Sequence, residues 1–249
     1  MKSMTSRTIA GVVAGLVTMA ALGAARQESI QLVRKAKVGD VSRVSTVGKA
    51  QVDMGGNQMV LDLKGIDKYT VTAVAPNGEI TQIEQPESVE ISMQGQSMPP
   101  NPEMLQPSTI VTKPNGLLVL FTKDGGTADT NEGRMHNATT VIFPDTPVKV
   151  GDKWSKTFAA NAAIGSRPAR ADYEVLAFET VAGTAVVKIG MTFQESVAPA
   201  LKTKGTFWIE RSTGDVVKVD GTLDNFPLDE TGTAMATLTI SQTRLPKGQ

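Results

Sequence analysis

The stretch "YEVLAFETVAGTAVVKIGMTF", residues 173–193, reads as two strands and the turn between them. Tyr173–Val181 runs out, Ala182-Gly183 turns, and Ala185–Phe193 returns. Side chains alternate across a strand, so Val187, Ile189, Met191 and Phe193 share one face. Val186, Lys188, Gly190 and Thr192 take the other. One face apolar and one mixed is the pattern of an antiparallel sheet with a core on one side. Beyond this hairpin, "KGTFWIE", "RSTGD" and "VVKVDGTL" repeat the arrangement, with Gly205, Phe207 and Ile209 inward and Lys204, Thr206 and Glu210 outward.

Upstream, Tyr69–Val74 alternates in the same way, and "PNGE" (76–79) supplies an Asn-Gly turn, which tolerates positive φ. Ile80–Ile83 leads the return, and Met235–Thr243 reads as the last strand. "LLVLF" (117–121) is apolar on both faces, which predicts a central strand covered on both sides. Two segments resist a strand reading. "GQSMPPNPEMLQPS" (95–108) has four prolines, and "KDGGTADTNEGRMHNA" (123–138) is polar and glycine-rich. Both are expected as surface loops, the first with a short helix near Pro102–Gln106.

The fold expected is therefore mainly β: a strongly curved antiparallel sheet, a half-barrel or open barrel, with at most one or two short helices. Its polypeptide is residues 26–249, a single domain. Lys-Val-Gly-Asp occurs twice, at 37–40 and 149–152. Tyr69-x-Val71-x-Ala73 and Tyr173-x-Val175-x-Ala177 follow in turn, then Glu87-Ser88-Val89 and Glu195-Ser196-Val197. Gly116 and Gly125 stand as far apart as Gly205 and Gly214. Two readings are open: two related meanders, about 30–138 and 139–245, or independent reuse of glycine turns by a β chain. On either, Gly-Asp is a turn that launches a strand.

The 249-residue chain begins with Lys2 and Arg7, then an uncharged Ala-, Val- and Gly-rich run from Thr8 to Ala25. With Gly23 and Ala25 before a cut at Arg26, this is the order of a secretory signal peptide. An uncleaved anchor is the rival reading, and 18 weakly apolar residues are short for a span. Removal of residues 1–25 leaves 23 Lys and Arg against 25 Asp and Glu, a balance that attracts neither nucleic acid nor an anionic membrane. The address expected is a bacterial periplasm or cell surface. No cysteine is present, so disulfides, thiolate catalysis and Cys-based metal sites are excluded.

Catalytic chemistry finds few residues. His136 is the only histidine, expected in a solvated loop, and no Ser-x-x-Lys occurs. Asp124, Asp129, Glu132 and Asp145 fall in expected turns, where carboxylates serve as caps. "DTNEG" (129–133) starts like a calcium loop, but Gly133 stands where a third oxygen is needed. Eleven aromatic rings are too few for membrane girdles or stacking platforms. Thioethers select Cu(I), so Met93, Met98, Met104, Met135 and His136 form an alternative metal set. Otherwise no cofactor is expected, and such methionines serve as adaptable apolar surface.

"FPDTPVKVGDKWSKTF" (143–158), the 173–193 hairpin and "GTFWIERSTGDVVKVDGTL" (205–223) carry a family resemblance. With its Phe-Pro…Gly-Asp-x-Trp turn and late Thr-Gly-acid hairpin, the chain resembles poorly characterised exported bacterial β-sheet proteins. More distantly it is similar to the half-barrel carriers of outer-membrane lipoproteins. The resemblance implies a curved sheet around an apolar concavity, sometimes closed by a short helix, holding acyl chains and catalysing nothing. No long lid helix is legible. The function expected is an exported, non-enzymatic protein whose inner face, formed by Val187, Ile189, Met191, Phe193, Phe207 and Ile209, is either ligand lining or filled core. The partners expected are an apolar small molecule or an envelope protein.

Overall fold

The computed structural model describes residues 28–54, 57–123, 130–227 and 235–246. The expected signal segment (residues 1–25), Asp124, Gly125 and Asp129 lie outside them. Among the described residues the strands are β1 (Val41–Met54), β2 (Asn57–Val74), β3 (Ile80–Met93), β4 (Gln96–Met98), β5 (Ser108–Thr112) and β6 (Leu118–Lys123). After the single α-helix, α1 (Thr130–Thr139), come β7 (Lys153–Phe158), β8 (Ala169–Val181), β9 (Thr184–Glu195), β10 (Lys202–Glu210), β11 (Val216–Pro227) and β12 (Met235–Arg244). They form one antiparallel sheet in the order β6-β5-β3-β2-β1-β12-β11-β10-β9-β8-β7, with β4 beside β3.

The sheet is open, since β6 and β7 do not pair, yet its two ends meet. Ile164, in the 3₁₀ turn after β7, packs with Ile110 of β5 and with Leu118 and Phe121 of β6. Contact between opposite ends of so long a strand path requires a strong curl. The curl wraps the main core. Three segments fill its inside: the N-terminal stretch through Leu32, α1 through Ala138, and Val141–Phe143 with Val148. Trp154 Nε1 donates to the Ile142 carbonyl at 2.8 Å, and Ile30 and Val148 exchange backbone hydrogen bonds.

The turns follow the chemistry of their residues. Ala182 and Gly183 have φ of 47° and 81°, as a two-residue hairpin requires. The two Lys-Val-Gly-Asp turns are built alike. Lys37 N donates to Asp40 Oδ2 (2.7 Å) and Lys149 N to Asp152 Oδ2 (3.0 Å). Gly39 and Gly151 have φ of 90° and 89°. Gly39 N and Val71 N exchange bonds with Val71 O and Asp40 O, as Gly151 N and Val175 N do with Val175 O and Asp152 O. Both valines precede a register shift. The glutamates of the third match differ: Glu87 pairs at the surface with Arg43, Glu195 in the interior with Arg134.

Two expectations are corrected. "LLVLF" is not a covered central strand; β6 ends the sheet. Leu118 and Phe121 enter the small core, while Val119 and Leu120 remain 37% and 39% exposed. Residues 130–139 are helix rather than loop, although Gly133 and the Asn and Thr residues have weak helix propensity. Packing overrides that propensity. A Cβ at Gly133 would stand 1.8 Å from the Ile164 carbonyl oxygen, so only glycine lets α1 approach the 3₁₀ turn this closely.

Candidate apolar site on the inner face

Val187, Ile189, Met191, Phe193, Phe207 and Ile209 all point inward and are at most 4% exposed. Register explains why they meet: Ile189 lies opposite Phe207, Val187 opposite Ile209, and Tyr173 opposite Met191. In this structure they are packed core, touching the chain's own cover.

That cover is held by polar contacts as much as by apolar ones. Arg134 of α1 makes a two-pronged ion pair with Glu195 at the end of β9, Nε to Oε1 at 2.6 Å and Nη2 to Oε2 at 2.7 Å. The side chains are 3% and 1% exposed. Arg134 also donates to the Pro199 carbonyl, and Glu195 accepts from Leu201 N, so the buried charges are well satisfied.

His136, expected in solvent, is half-buried on the same helix. Burial, reinforced by the nearby Arg34 guanidinium, lowers its pKa to about 4 against an opposing hydrogen bond to the Gly116 backbone. It is therefore neutral at pH 7. Its Nε2, Asn137 Oδ1 and Thr203 Oγ1 of β10 are enclosed without hydrogen-bond partners.

Beside the helix lies a group of carboxylates that sequence reading did not find. Tyr69 of β2 donates to Glu84 of β3 at 2.7 Å. Burial raises Glu84 to about 7 and Asp67 to about 6, helped in each case by mutual repulsion with Glu132 of α1. Lys123 of β6 sits 3.6 Å from Glu132. No group of three His, Cys, Asp or Glu among the described residues has metal-site geometry.

The inner face continues beyond its cover. Ala50 of β1 is fully buried, and its β2 partner Leu61 pairs onward with Met93 of β3. One row over, Gly48, Leu63 and Ile91 line up, and Ile91 pairs with Met98 of β4. Thr46, Gly65 and Val89 follow. Paired residues share a face, so Leu61, Leu63, Val89, Ile91 and Met93 form a half-buried apolar strip leading from the closed core to the exposed Met98. Sequence reading missed it because charged residues interrupt β2 and β3 and Pro86 interrupts β3.

The methionine set is divided. Met93 and Met98 belong to the β3–β4 hairpin and Met104 to the 3₁₀ turn Pro102–Leu105. Met135 and His136 lie on α1, which packs against β6, β10 and the turn at Ala162–Ile164.

No protein-family model matches this chain, and no curated protein matches it in sequence. Solved structures resemble it in fold. Lipovitellin aligns over 86% of the chain with a TM-score of 0.50 and 10% identity; the chain spans about a quarter (26%) of lipovitellin. The hypothetical lipoprotein YmcC of Escherichia coli (K12) aligns over 85% of this chain and 90% of its own, at 13% identity and a TM-score of 0.33. A Bacteroides fragilis protein with a YmcC-like fold covers 84% and 97%, at 11% identity and a TM-score of 0.28. Bacterial proteins of the kind the resemblance indicated are thus among the chain's structural neighbours.

Proposed function

We propose that the protein is an exported, non-enzymatic carrier that holds an extended apolar chain, such as the acyl chain of a lipid, along the inner face of β1, β2 and β3. The observation behind this reading is the half-buried strip of Leu61, Leu63, Val89, Ile91 and Met93, which joins the core through Leu61 and Leu63. Apolar surface left in contact with an interior is where an acyl chain gains most by leaving water. Methionine at the rim adapts to chains of different shape. Lipovitellin, a protein described for its lipid–protein interactions and matched over about a quarter of its length, is in keeping with this reading.

A fluorescent fatty acid, titrated into the mature protein, tests the reading. Uptake is expected, and Ile91→Glu should weaken it by tenfold or more while leaving the melting curve cooperative. No uptake by the folded wild type, or uptake indifferent to Ile91→Glu, contradicts it. The competing reading is a structural envelope module with a solid core; the near-complete burial of Val187, Ile189 and Phe207 favours it. It predicts no uptake in either protein.

A further inference from the structure

We propose that α1 is a pH-sensitive lid, loosened as pH rises because carboxylates on the inner face of the sheet compete with its Glu132 for Lys123. The consequence for a ligand rests on the carrier reading above. Ala138 and Met135 of α1 belong to the core that Leu61 and Leu63 join, so a loosened α1 widens the apolar surface beside the strip.

Register places the competing groups in one row. Tyr69 of β2 stands opposite Glu84 of β3, Glu84 opposite Ser108 of β5, and Ser108 opposite Lys123 of β6. Paired residues share a face, and Tyr69 packs on the small core of Ile110, Phe121 and Ile164, so the row points inward. Asp67, two residues before Tyr69 on β2, takes the same face. The row ends on the helix, where Lys123 Nζ lies 3.6 Å from Glu132 Oε1. Two strand spacings, about 9.6 Å, separate Glu84 from Lys123 at the backbone, a span that a flexible lysine stem and a glutamate can close.

Protonated, Glu84 and Asp67 leave Lys123 to Glu132. Ionised, they draw Lys123 toward the sheet and repel Glu132, and both effects weaken the seat of the first helical turn. Burial is the main reason that Glu84 titrates at about 7 and Asp67 at about 6, with repulsion from Glu132 added in each case. The seating that Glu84 contributes is therefore full below its ordinary 4.5 and lost as pH rises through about 7. The other charged groups around α1 have separate roles. Glu87 of β3 faces Asp67 but pairs with Arg43, and Arg134 pairs with Glu195 in the interior. The turn at Ala162–Ile164 and Thr203 of β10 bring no ionisable side chain. His136, near Arg34, acts in the opposite sense, its contribution lost as pH falls through about 4. The competition is accordingly read as a difference between the wild type and Glu84→Gln, in which His136 cancels.

Amide hydrogen exchange of the mature protein at pH 4.5 and pH 8, with each rate divided by its intrinsic value, tests the proposal. At pH 8, α1 should open at least about tenfold more often in the wild type than in Glu84→Gln, while the amides of β9 change less. At pH 4.5 the two proteins should agree within about twofold. Glu132→Gln removes the helix's stake in Lys123, so in that background Glu84→Gln should alter α1 opening by less than about threefold at pH 8. Equal α1 exchange in wild type and Glu84→Gln at pH 8, a difference independent of pH, a difference undiminished by Glu132→Gln, or β9 amides moving in step with α1 would each overturn the proposal. None of these readouts involves a ligand. Failure of the lid thus leaves the carrier reading to its own fatty-acid titration, and failure of that titration leaves the lid intact.

Discussion

Ala182 adopts φ 47° in an exposed hairpin turn, a conformation that costs an alanine roughly 1 kcal/mol and an asparagine less. Ala182→Asn is therefore expected to stabilise the protein by about 0.5–1 kcal/mol, read as a rise in Tm of about 1–4 °C. Glu84 gives a second prediction. Its carboxyl is raised from 4.5 to about 7, so the folded state holds the proton more tightly than the unfolded chain does. Its contribution to stability is present below pH 4.5 and lost as pH rises through about 7. His136, lowered from 6.5 to about 4, runs the opposite way: its contribution is present above pH 6.5 and lost as pH falls through 4. The two partly cancel in the wild type, so the informative quantity is a difference. Glu84→Gln keeps an acceptor for the Tyr69 hydroxyl, and it should match the wild type near pH 4.5 and exceed its Tm by about 2–5 °C at pH 8. A gap independent of pH would contradict the assignment. The turn at 182–183 was legible because glycine announces it. The Glu84 environment was not, because β2, β3 and α1 assemble it from distant parts of the chain.

At the scale of elements, the hairpins were legible and the helix was not. Strand alternation and glycine turns are local; they place β9 and β10 within two residues, while β8 begins four residues earlier and β11 ends four residues later than expected. Helix α1 lacks local support. Its formation rests on contacts made only after the sheet curls: Gly133 against Ile164, and Arg134 against Glu195. The same dependence misplaced "LLVLF", since an apolar run does not reveal whether a second layer will cover it. Gly133→Ala tests the dependence directly. The added methyl cannot fit beside the Ile164 carbonyl, so α1 should detach, helical ellipticity should fall, and amides of β10 beneath it should exchange faster. Unchanged exchange beneath α1 would show that the helix is held otherwise.

For the whole molecule, the curl sets the two faces apart: an inner face that holds the main core and an outer face where charged and hydroxyl side chains alternate with exposed apolar ones. The repeated Lys-Val-Gly-Asp turns show how much a short motif carries here. The two turns share hydrogen bonds down to the valine each one engages, yet the glutamates that follow serve a surface pair in one half and a buried pair in the other. Ile189→Lys places a charge in a fully buried position opposite Phe207 and should abolish cooperative unfolding, a loss of about 4 kcal/mol or more. A folded Ile189→Lys protein would mean that the inner face is wet lining rather than core. The most direct test of apolar-ligand carriage is native mass spectrometry of the processed protein isolated from its own cell envelope. The account predicts an added mass that organic extraction removes and identifies as lipid, and that Ile91→Glu protein lacks. A bare polypeptide mass for the wild type, under conditions that preserve known lipid complexes, would contradict it.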